Sequence, residues 1–123
     1  MLKQLKFNDI KEFEPINNVD DQLVSSLAVS MMENGWIGAP ILIYDGRLLT
    51  GSHRLVALKY IYATHPEAKI LDESVALDVT EIVMRRIEEL SDEFFQYDID
   101  YSSLGEIFEG TEIEKWKDQI KEW

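Results

Sequence analysis

The stretch 39–64, APILIYDGRLLTGSHRLVALKYIYAT, leaves the backbone few choices. Residues 39–44 are short, apolar and partly β-branched, the pattern of a buried strand. Asp45-Gly46 comes next, a pair suited to a two-residue hairpin turn because both positions need positive φ. Arg47-Leu48-Leu49-Thr50 then returns as the antiparallel partner. No loop separates this strand from the helix beyond it. Gly51 precedes Ser52, a helix-capping residue type, and a helix is expected from His53 to about Thr64, ended by His65-Pro66.

Elements on either side extend the pattern. A short apolar run predicts an edge strand near residues 2–7, and Pro15 disfavours helix at Glu14. Asp20 or Asp21 is expected to cap a helix running to about Glu33. Its apolar stripe is Leu23, Leu27 and Met31, with Val24 alongside. Asn34-Gly35 should stop it. Beyond the second helix, residues 74–79 read as a strand. A helix from Thr80 carries the stripe Ile82, Val83, Ile87 and Leu90, with Glu88, Glu89, Asp92 and Glu93 outside. Residues 101–108 suggest a short helix. Ile113, Trp116, Ile120 and Trp123 define one face of a terminal helix, whose tryptophans are expected in the core. The expectation is a small mixed α/β (α+β) domain: a core over about 1–80 and a helical extension over about 81–123.

A length of 123 residues fits a single domain. The chain has no cysteine, which excludes disulfides, zinc-thiolate sites and thiol catalysis. No window approaches the length of a membrane span, and no signal-peptide core is found in MLKQLKFNDIKEF. A soluble, cytoplasmic protein is expected. The formal net charge of -12 is unevenly distributed. Residues 1–71 hold 8 acidic and 7 basic side chains, whereas residues 72–123 hold 16 acidic and 5 basic. Such a field opposes phosphate backbones, whose binding needs Lys and Arg. It serves solubility, or docking on a basic protein partner.

Thr50-Gly51-Ser52-His53-Arg54 is the segment with chemistry. A helix start leaves N–H groups unpaired and carries partial positive charge. Glycine allows close approach to the backbone, serine donates or accepts, and arginine matches phosphate oxygens in a two-pronged fork. Together these suit an anion, phosphate above all. The alternative is a simple Ser52 cap, with His53 and Arg54 solvated or paired to acids such as Asp45 or Glu14.

The segment 16–59 resembles the ParB/sulfiredoxin-like domain. Its pieces are Ser30 to Gly35, Pro40-Ile41-Leu42-Ile43, the Asp45-Gly46 turn and the box Gly51-Ser52-His53-Arg54, in the family's order over roughly the first 80 residues. The resemblance implies nucleotide phosphate binding at the box, with ATP, ADP or CTP as ligand, bridged by magnesium. Gly51 and Ser52 would give backbone donors, His53 and Arg54 side-chain contacts, and Thr50 would line the loop. Glu14 or Asp45 would act as catalytic base or hold the ion, in a phosphotransferase or nucleotide hydrolase. Ser52 stands where sulfiredoxins carry cysteine, so sulfinic acid reduction is not expected. The family's DNA-binding and nuclease activities would need a basic surface that this chain lacks. The second expectation is a non-catalytic protein that binds a basic partner through its acidic C-terminal helices.

Overall fold

The computed structural model describes residues 3–15, 18–90, 110–111 and 113–116, with the side chains of 86–90 excepted. It contains a mixed four-stranded sheet with helices on both faces, an α+β fold. The strands are β1 (Lys3–Leu5), β2 (Ile41–Tyr44), β3 (Arg47–Thr50) and β4 (Ala76–Asp78). The helices are α1 (Phe7–Ile10), α2 (Asp21–Asn34), α3 (Ser52–Thr64) and α4 (Thr80–Leu90), with 3-10 turns at Lys69–Asp72 and Glu114–Trp116. The sheet order is β1-β4-β2-β3; β2 runs parallel to β4, and the two outer strands pair antiparallel.

Strand β2 is the centre. Ile41, Leu42 and Ile43 are all buried, as expected for a strand covered on both faces. Ile41 and Ile43 join Leu48 and the buried side of α1, α2 and α3. Leu42 faces the other way, into a smaller cluster with Val79, Val83 and Ile113, flanked by Tyr44, Leu49, Leu77 and Trp116. The C-terminal part therefore contributes to the core: Ile113 is fully buried.

The hairpin forms as the sequence requires. Asp45 and Gly46 have φ of 51° and 77°, and β2 and β3 pair around them. The register slips once, Ile43 facing Leu48 but Leu42 facing Thr50. This β-bulge inserts one extra residue before the helix. Asp20 caps α2, its carboxylate accepting from the N–H groups of Gln22 and Leu23. Gly35 ends that helix with φ 76°, its N–H donating to Met31 O.

Four expectations need correction. The first strand stops at Leu5, because Asp9 accepts from the Lys6 N–H at 3.0 Å and starts a single helical turn at Phe7. The buried face of α2 is Val24, Ala28 and Met31, and Leu23 is 41% exposed. A strict four-residue spacing drifts about 40° per step around a helix of 3.6 residues per turn, which carries Leu23 off the face. Ser52 is not the cap of α3: Gly51 occupies that position, and Ser52 is the first helical residue and buried. Strand β4 is shorter than 74–79, although Val75 and Val79 continue its bonding to Leu5 and Ile43. In α4, Val83 is buried and Ile82 half-buried. The side chains of Ile87 and Leu90 lie outside the described residues, as do the expected helix at 101–108 and Ile120 and Trp123. Among the described residues no helix is long and apolar enough to cross a membrane.

Burial of Ile113 against the outer sheet face makes a direct prediction. Ile113→Ala should lower unfolding free energy by about 2–4 kcal/mol in denaturant melts. A loss below about 0.5 kcal/mol would detach this residue from the core.

Candidate functional site

Gly51 connects β3 to α3 with φ 102°, in the left-handed region. A Cβ at this position would lie 2.9 Å from Ile41 Cγ1 and 3.3 Å from Ile41 Cα. The close approach that glycine permits is thus made by β2, not left open for a ligand. With glycine at the cap position, no side chain caps α3. The first bond of the helix ladder is Leu55 N–H to Gly51 O at 2.8 Å, so the N–H groups ahead of it take no part in that ladder.

His53 projects from the first turn of α3 towards the start of α2. Its Nε2 accepts the Asp20 N–H at 3.0 Å. A ring nitrogen that accepts carries no hydrogen, so the neutral ring has its proton on Nδ1. That Nδ1 is buried and has no hydrogen-bond partner. The Thr50 hydroxyl, at the end of β3, is also buried and without a partner. The segment entering α3 therefore carries two buried polar side-chain atoms that no described group satisfies.

Arg54 is turned to the loop after α2. Its Nη1 donates to Ile37 O at 2.7 Å, and the guanidinium lies 4.9 Å from the Trp36 ring centre. Stacking on tryptophan is worth about 0.5–2 kcal/mol, more as water is removed. Burial pushes the Arg54 guanidinium below its ordinary pKa, since desolvation disfavours the charged form. Trp36 Nε1 is buried beside it without a partner.

The two carboxylates expected near the box are separated. Asp45 sits at the hairpin tip, and the length of β3, about 13 Å, divides it from Gly51. Its N–H donates to the Thr80 hydroxyl at 2.8 Å, which in turn donates to Asp78 Oδ1 at 2.6 Å. Asp45 thus holds the hairpin to the start of α4, and neither anion chemistry at α3 nor pairing with His53 or Arg54 is within its reach. Glu14 is exposed on the segment before α2. Its neighbour Phe13 gives its carbonyl to Lys59 Nζ of α3 at 2.5 Å. Glu14 is therefore on the α3 side of the molecule, although no described contact brings it to the box.

Asp20, Trp36 and Ile37 were not legible as partners of this segment. They act through a backbone N–H, a ring face and a carbonyl, and none of these has a residue-type signature. No protein-family model, no curated protein and no solved structure matches the chain.

Gly51→Ala should destabilise by more than about 2 kcal/mol, because the methyl group meets Ile41 and the backbone angle is strained. Chemical denaturation checks this. A variant within about 0.5 kcal/mol of the parent would contradict the packing described for Gly51.

Proposed function

We propose that the start of α3 binds a phosphoryl group and that the chain is a nucleotide-binding domain. One observation carries this reading: Thr50 Oγ1 and His53 Nδ1 are buried without partners beside a helix start that no side chain caps. A buried donor without an acceptor costs about 1–3 kcal/mol. A phosphoryl oxygen supplies the acceptor, and its charge suits the positive end of a helix. Thr50 and His53 would donate through O–H and Nδ1–H. The positive end of α3 would face the ligand, and the Arg54 guanidinium adds positive charge from its seat on Trp36. Both side-chain atoms lie below the surface, so the ligand displaces whatever now covers them.

ATP, ADP and CTP are the ligands to try. Magnesium would arrive with the phosphates, since this ion keeps much of its shell as water and phosphate oxygen. Among the described residues no three His, Asp or Glu side chains gather as a metal set. A phosphotransferase or hydrolase would have to draw its carboxylate from Glu14, given where Asp45 sits. Binding alone is proposed, with no bond-making step.

A second reading has its own support. Arg54 is already engaged by Ile37 and Trp36, so the strongest cation of the box serves the fold. The acidic residues of 72–123 would then be the working surface, docking a basic protein.

Thermal unfolding with ATP, ADP, CTP and inorganic phosphate, with and without magnesium, separates the two. A ligand at ten times its Kd should add about 1.4 kcal/mol, or about 5 °C. Thr50→Val keeps the shape and removes the hydroxyl. It should leave the unliganded protein as stable or more stable, and lose most of the ligand-induced rise. If no phosphate compound raises Tm, or Thr50→Val keeps the full rise, the phosphoryl reading fails. Binding to polylysine that salt reverses would then favour the second.

A further inference from the structure

We infer that His53 is a pH-operated latch between α3 and the start of α2, closed when its ring is neutral and opened by protonation. No ligand is needed to work it. The latch is the hydrogen bond from Asp20 N–H to His53 Nε2 at 3.0 Å, which joins residues 33 apart at the protein surface. Only a neutral imidazole accepts at Nε2. A proton arriving there from water sets N–H against N–H, and the bond is lost.

The surroundings of the ring determine how the protonated form behaves. The charged residues on the two elements the latch joins, closest to it in the chain, are Asp20 and Asp21 at the start of α2 and Arg54 next to it on α3. Strand β3 contributes the uncharged Thr50. The Asp20 carboxylate caps α2 through one oxygen, Oδ1 accepting from Gln22 N–H at 2.8 Å and Leu23 N–H at 3.2 Å. The cap uses the side chain of Asp20 and the latch its backbone N–H. Protonation of His53 therefore releases the start of α2 from α3 and leaves the first turn capped.

The test is a nuclear magnetic resonance titration of the full chain in phosphate-free buffer. Across the range in which histidine titrates, about pH 5–8, the amides of Asp20, Gln22 and Leu23 should shift with the His53 ring and share its midpoint. Solvent exchange of the Asp20 amide, which loses its acceptor, should rise about fivefold above the intrinsic pH trend, the scale of one lost hydrogen bond. His53→Gln keeps an oxygen acceptor at about the reach of Nε2 for the Asp20 N–H and cannot titrate; in it the three amides should stay in place over that range. His65, the other histidine, remains in both proteins as the control. The latch is overturned if the three amides are unmoved while the His53 ring titrates, or if they move equally in His53→Gln. Should that variant not fold, the parent titration decides alone.

Discussion

Helix α3 begins against the first residue of β2, and Gly51 is what lets the two touch. The backbone turns there with φ 102°, and the space a methyl group would need is filled by Ile41. Ile41 also donates its N–H to Val75 O, which fixes the parallel pairing of β2 with β4. The contact therefore sets the centre of the sheet and the origin of α3 together. The directions of His53 and Arg54 result from it, because both lie in the first turn of a helix whose start is not free to move.

From that origin two side chains hold the neighbouring segments. His53 receives the start of α2, and Arg54 the loop that leaves it, by a carbonyl bond and a tryptophan face. A cation beside a helix start is electrostatically unfavourable; here stacking and a strong hydrogen bond offset it. Satisfying these contacts leaves other groups unsatisfied. Once Nε2 accepts from Asp20, the remaining imidazole hydrogen points into the protein with no acceptor, and the Thr50 hydroxyl is equally unpaired. The proposed phosphoryl site rests on those unmet donors, rather than on an open glycine loop or a free guanidinium.

The fold was legible wherever local chemistry decided the structure. The Asp45-Gly46 turn, the Asp20 cap, the Gly35 stop and the apolar run of β2 each declare themselves within a few residues. The errors arose where a distant partner decided. Ser52 looks like a cap by type, yet the bulge in β3 places the left-handed turn at Gly51 and moves Ser52 one position into the helix. Leu23 is apolar and regularly spaced, yet α2 buries Val24, Ala28 and Met31 in the core. At the candidate site, residue types identified the segment but not its arrangement. Asp45 is close to the box in sequence and is held at the other end of a strand by Thr80. Asp20 lies 33 residues away and is in contact with it.

Both the phosphoryl site and the latch depend on which nitrogen of His53 carries hydrogen. Nitrogen-15 spectra of the imidazole at about pH 8, above the histidine range and without any ligand, read this directly. The expected result is a single tautomer, Nδ1 protonated and Nε2 bare, with a coupling across the hydrogen bond to the Asp20 amide. A ring protonated on Nε2, or one averaging between the two forms as a solvated histidine does, would contradict the geometry on which the site has been built.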